Sequence, residues 1–125
     1  LVDGHLYCSH LPPEESNIDF DNWSVMRKLA LPFRCVDWNT GEVVWEKSMQ
    51  SVSVTAAGST LILLEVGGTL HIIEASASGY EELSSADVLG GADRPRVFAT
   101  PAVLCNGRIY CRNFAGDLIC VDVRT

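Results

Sequence analysis

Five cysteines and three histidines are the residues of this chain best suited to chemistry. Thiolates attack carbon and sulfur, bind soft metals and form disulfides, while imidazoles move protons near neutral pH and ligate metals. Their spacing narrows the choice. No Cys-x-x-Cys occurs and no two cysteines are adjacent, which disfavours a zinc site or a redox motif. His5, His10 and His71 fall at no metal-ligand spacing. A metal centre needs a convergent ligand set, so structural or solvent-facing roles are expected for them. Signatures of a serine nucleophile, a zinc protease or a phosphate loop are missing, and Gly67-Gly68 and Gly90-Gly91 read as turns. What remains is the pattern of Cys8, Cys35, Cys111 and Cys120, which has meaning only on the strands that carry them.

Those strands come as a repeat. Gly4-His5-Leu6-Tyr7-Cys8 matches Gly107-Arg108-Ile109-Tyr110-Cys111, and Cys35-Val36-Asp37 matches Cys120-Val121-Asp122. Ser59-Thr60-Leu61-Ile62-Leu63 and Leu70-His71-Ile72-Ile73-Glu74 form a degenerate copy between them. Each unit reads as antiparallel strands, with Gly67-Gly68 and Ala115-Gly116 as two-residue primed-turn loops. Residues 51–55 and 100–104 supply the strand before each of the last two hairpins. Apolar residues are not confined to alternate positions, so both faces of these strands are expected to be covered. Only residues 20–31 suggest a short helix.

The repeat places Cys8 and Cys111 at one strand position and Cys35 and Cys120 at another. With Ala115-Gly116 as the loop, Cys111 is expected directly opposite Cys120, and Leu63 opposite Ile72 in the middle unit. Two thiol pairs serving as small core residues is the plainer reading. Cross-strand disulfides are the sharper one, suited to an oxidising compartment. Cys105, beside the Asn106-Gly107 turn, has no repeat partner.

Cys35-Val36-Asp37-Trp38-Asn39-Thr40-Gly41-Glu42-Val43-Val44-Trp45 is the most regular stretch. Asp37 is placed to accept from turn amides, Thr40-Gly41 to turn the chain, and Trp45 to bridge to the neighbouring unit, burying roughly 150–250 Å². The Asp-x-x-Thr-Gly-x-x-x-Trp spacing resembles the tryptophan-docking repeat of quinoprotein-like (pyrroloquinoline quinone, PQQ-like) β-propellers. In the middle unit Glu74 takes the Asp place and Glu82 the Trp place, predicting a weaker contact. Thr100-Pro101-Ala102-Val103-Leu104 and the closing residues 117–124 also resemble bacterial repeats of this kind.

The resemblance implies an all-β fold of about two and a half four-stranded antiparallel propeller blades. One partial domain, residues 1–125, is expected, with a blade over residues 1–50, a degenerate one over 51–88, and a last one over 89–125 lacking its outer strand. Closure then calls for the remaining blades of a longer chain or another copy of the same chain. The family includes eight-bladed dehydrogenases holding PQQ and Ca²⁺, and non-catalytic scaffolds such as the propeller lipoprotein of the outer-membrane barrel-assembly machinery. A scaffold binding a protein or ligand, without a cofactor, is the leading expectation. A fragment of a PQQ-dependent dehydrogenase is the alternative, and no residue here matches the PQQ or Ca²⁺ ligands. An extracytoplasmic, periplasmic location is implied by the resemblance alone.

The first unit carries an insertion, residues 10–32, with Glu14, Glu15 and Trp23. Such a connection emerges on the same propeller face as the link over residues 84–98, which carries Arg94 and Arg96. Related propellers bind ligands on such a face, so these five residues mark a candidate ligand face; a loop merely packing on the blades is the blander reading. A net charge of −7 disfavours nucleic acid and anionic membranes as partners. With 47% hydrophobic residues over 125 positions, the chain has enough apolar mass for a sizeable core. No apolar run reaches a membrane-spanning length. Leu1-Val2-Asp3-Gly4 reads as folded structure, not as a signal peptide.

Overall fold

Short apolar stretches, some alternating with polar residues and some continuous, are separated by glycine turns and fold into antiparallel strands across the described residues. A computed structural model describes residues 1–9, 31–90 and 100–124. Among these, every regular element is a strand: β1 His5–Ser9, β2 Leu31–Asp37, β3 Val43–Met49, β4 Val52–Ala57, β5 Thr60–Glu65, β6 Thr69–Glu74, β7 Glu81–Asp87, β8 Val103–Cys105, β9 Arg108–Arg112 and β10 Leu118–Asp122. They form three antiparallel sheets, ordered β1-β2-β3, β4-β5-β6-β7 and β8-β9-β10. No helix among the described residues is long and apolar enough to cross a membrane. The helix expected over residues 20–31 falls outside the described residues except at Leu31, which begins β2.

The second sheet lies between the other two and buries both faces. On one side Leu61, Leu63 and Ile73 pack against Phe33 of the first sheet, with Trp45, Tyr7 and Tyr80 around them. On the other side Ile62, Leu64 and Leu70 pack against Ile109 and Cys111 of the third sheet. This explains the run Leu61-Ile62-Leu63-Leu64, apolar at four successive positions and buried at all of them. Strand β4 approaches β1 on one side and β8 on the other, and the Thr55 hydroxyl donates to the Ala102 carbonyl at 2.7 Å. The sheets therefore fan out from one line of strands.

The hairpin loops differ from the sequence-based expectation by one residue. Strand β5 ends at Glu65 and β6 begins at Thr69, so Val66, Gly67 and Gly68 all belong to the loop. In the third sheet Asn113 and Asp117 close the loop around Phe114, Ala115 and Gly116. The Asn113 amide donates to the Asp117 carbonyl at 3.2 Å, and the Asp117 amide donates to Asn113 Oδ1 at 3.0 Å. Asn113 is buried, and its side-chain Nδ2 also donates to Asp117 Oδ2. Gly68 (φ 97°) and Gly116 (φ 94°) each take the left-handed third position that a three-residue hairpin requires.

One extra loop residue shifts the register by one, and a shift of one moves a side chain to the other face. Cys111 therefore faces Ile119 across the ladder, Cys120 faces Tyr110, and Leu63 faces His71 instead of Ile72. In the first sheet Cys35 lies opposite Tyr7, and Cys8 opposite Arg34. The expected Cys111–Cys120 opposition is thus corrected, and all five cysteines are free.

The two loop glycines make different demands. A Cβ at Gly68 would collide with the backbone of Leu89 and Gly90, whereas one at Gly116 meets open space. Gly116→Ala should cost about 1–2 kcal/mol, the left-handed strain alone. Gly68→Ala should cost clearly more, since backbone must also move. Paired urea denaturation curves measure the difference, and equal midpoints would contradict the packing of Leu89 on this loop.

Candidate functional site

Local sequence builds the junction between the first and second sheets. After β2 the chain turns at Trp38-Asn39-Thr40-Gly41, with Gly41 at φ 75°. Asp37 Oδ1 accepts from the amides of Asn39 (2.8 Å) and Thr40 (2.9 Å), and the Glu42 amide donates to Thr40 Oγ1 at 3.2 Å. These two amides, Thr40 first, hold the Asp37 carboxyl below the usual carboxylate range. The ladder slips between Cys35 and Val36, a bulge that brings Trp45 opposite Cys35 and onto the face toward the second sheet.

Trp45 is the crossing point. Its Nε1 donates to the Ser76 carbonyl, in the connection between β6 and β7, at 2.8 Å. Its ring lies 5.9 Å from Phe33, 6.1 Å from Tyr7 and 6.2 Å from Tyr80, the last edge-on at 84°. Lys47 Nζ sits over the Tyr80 ring, 5.2 Å from its centre. Burial pushes the Tyr7 hydroxyl up to about 12, so it stays protonated at any physiological pH.

Tyr80 leads from this aromatic cluster into a polar chain that the sequence reading passed over. The Tyr80 hydroxyl donates to Glu82 Oε2 at 2.8 Å. His71 stands between two carboxylates, with Nδ1 2.7 Å from Glu82 Oε2 and Nε2 2.8 Å from Glu65 Oε1. Both ring nitrogens therefore meet carboxylate oxygens, one from each neighbouring strand. The Tyr80 hydroxyl first, and His71 after it, hold the Glu82 carboxyl below its ordinary range. The signal in the sequence was weak: Glu65, His71 and Glu82 meet only because three neighbouring strands align them. His71 was expected in a structural role, and its contacts are an interstrand clamp.

The remaining expected site residues do not converge. Cys35 and Cys111 are buried, and burial raises both thiols, which suppresses the nucleophilic thiolate. Cys8 is half-buried, while Cys105 and Cys120 are exposed. Glu14, Glu15, Trp23, Arg94 and Arg96 lie outside the described residues. Glu82 does not occupy the place of Trp45. The slip in the second sheet falls between Ile72 and Ile73, and the residue opposite Ile72 is Ser84. The connection there, residues 74–81, is two residues longer than residues 37–42, because Val36 pairs with Val43 whereas Ile73 pairs with Glu82. Among the described residues no group of three or more His, Cys, Asp or Glu side chains is arranged to hold a metal ion.

Two substitutions test the junction. Trp45→Ala should destabilise the fold by about 3–5 kcal/mol in chemical denaturation, the usual cost of deleting a packed tryptophan. Tyr80→Phe removes the donor to Glu82, and about 0.5–1 kcal/mol is expected at pH 7 for a contact this open to solvent. A carboxyl held below its unfolded value stabilises fully above that value, near 4.3, and the contribution fades as pH falls through the folded value. The difference between wild type and Tyr80→Phe in thermal midpoint should therefore shrink below about pH 4; a constant difference down to pH 2.5 would exclude Glu82 as the partner. Compared with known proteins, the chain matches no family model and no curated sequence, so what this junction serves must be argued from its own geometry.

Proposed function

We propose that the chain is a non-catalytic scaffold of propeller type, with its three sheets as successive blades that present surfaces to a protein or ligand partner. The observation that carries this reading is the docking of Trp45 across two sheets, together with the burial of both faces of the second. Sheets stacked face to face around a common line of inner strands are what a propeller repeats. The bulge, the Asp37-Thr40-Gly41 turn and the tryptophan act together to set one sheet against the next. Such a device orders sheets and does no chemistry.

The outer face of the third sheet supports a further partner. Val103 and Leu118 are 55% and 67% exposed, and Cys120 lies on the same face, opposite Tyr110. By register this is the face that the second sheet turns toward the third. Arg108, Arg112 and Asp122 share this face by register, and exposed apolar residues among charged ones suit another sheet, from the remaining blades of a longer chain or from a second copy. Fold alone does not assign function, and a cofactor assay separates this reading from a quinoprotein enzyme.

Light scattering on the purified chain should show concentration-dependent self-association, and Leu118→Glu should return it to the monomer. A wild-type monomer at all concentrations would remove the support that this face lends to a further sheet. Titration with PQQ and Ca²⁺ in a dye-linked oxidation assay should give no turnover; saturable binding with turnover would overturn the scaffold reading in favour of a quinoprotein enzyme.

A further inference from the structure

The first and second sheets share a plan in which one side chain is exchanged. In the first sheet Trp45 stands opposite Cys35, one residue before the ladder slips. In the second sheet Ser84 stands opposite Ile72, again one residue before the slip. The register carries the match outward. Phe33, beside Trp45, corresponds to Leu70, and Tyr7, opposite Cys35, corresponds to Ile62. Across the junction, Ile73 and Ala75 near Trp45 correspond to Val121 and Val123 of the third sheet.

A serine cannot reach across the space that an indole spans. Ser84 is exposed, as is the whole of β7, whereas Trp45 is half-buried. The space it leaves is a cleft of about 170 Å³ between the second and third sheets, walled by Leu70, Ile72, Ala86, Val121 and Val123. Ser84 adds a hydroxyl to the lining, whereas Ser85 and Asp122 border the cleft with their side chains turned to the opposite faces, toward Glu82 and toward Arg108 and Arg124. A dry apolar cavity of about 150 Å³ is enough to admit benzene. The side chain that fills the corresponding place in the first sheet is itself a bicyclic aromatic whose N–H meets a carbonyl oxygen.

We propose that this cleft is a binding socket for a small free aromatic compound of indole size. Leu70, Val121 and Val123 are the counterparts of Phe33, Ile73 and Ala75 around the Trp45 ring, the volume suits one flat ring system, and the Ser84 hydroxyl offers an acceptor for a ring N–H. The inference rests on the matched registers of the two sheets and not on the scaffold reading.

Indole itself is the probe. In a ¹H–¹⁵N NMR titration of the full chain, indole should shift the amides around Ser84, Ala86 and Val121 along saturable curves, leaving those around Trp45 in place. Ser84→Trp should fill the socket from within, raise the thermal midpoint and abolish the saturable shifts. Ser84→Leu, a smaller plug, should weaken indole binding at least several-fold and covers the case in which the tryptophan variant fails to fold. The proposal is overturned if wild type gives no saturable shift, if the shifts map elsewhere, or if a folded Ser84→Trp or Ser84→Leu binds indole as wild type does.

Discussion

Burial of both faces of the second sheet is the constraint on which the rest of the structure depends. A sheet with one wet face tolerates polar residues at every other position, but Leu61, Ile62, Leu63 and Leu64 leave β5 no such face. Each of its sides must be covered by another sheet, and the first and third supply the covers. At roughly 25 cal/mol per Å² of apolar area removed from water, this sandwiching is the main favourable term available to an assembly without helices among its described elements. The inner strands β1, β4 and β8 follow as consequences, because sheets stacked on both faces with a native twist meet along one edge.

Apolar stacking alone leaves sheets free to slide, and the junction at Trp45 removes that freedom on one side. The indole hydrogen bond to Ser76 is directional, and the edge-on contact with Tyr80 fixes the rotation about it. Tyr80 is then tied through Glu82 and His71 to Glu65, so the aromatic contact is anchored to three successive strands of the second sheet. Neither part positions the other sheet by itself. Trp45 without an oriented Tyr80 would have a looser wall, and the His71 clamp without Trp45 would brace a sheet against nothing.

Much of this was legible in the residues, and the misses share a cause. The equivalence of Cys8, Leu63 and Cys111, and of Cys35, Ile72 and Cys120, follows from the repeat, and the sheets superimpose those positions by register. Which residue faces which depends instead on loop length. Gly116 and Gly68 announce a turn but not whether two or three residues make it, since either geometry uses a positive φ. The deciding residue was Asn113, whose buried side chain closes the third loop, and burial is not written in a local sequence. The same kind of slip put Glu82 in place of Ser84: counting from Glu74 assumes a connection of fixed length, and this one is two residues longer than its counterpart. The clamp on His71 escaped notice because its members are neighbours only across strands.

The two junctions of the second sheet therefore differ in kind, although strands of one design build both. One is held by a large aromatic ring, a directional hydrogen bond and a hydrogen-bonded brace through His71. The other relies on aliphatic contact among Ile62, Leu64, Ile109 and Cys111, with the Thr55–Ala102 bond at its inner edge and a cleft at its outer edge. Aliphatic packing is non-directional and tolerates small displacements that an indole hydrogen bond does not. The second junction can thus adjust its outer edge around a guest while its inner edge stays fixed, and β7, exposed along its length, is the strand with least to lose in doing so. A repeat fold keeps its shape by using the same device at each junction, and it gains a place to bind where one junction omits it.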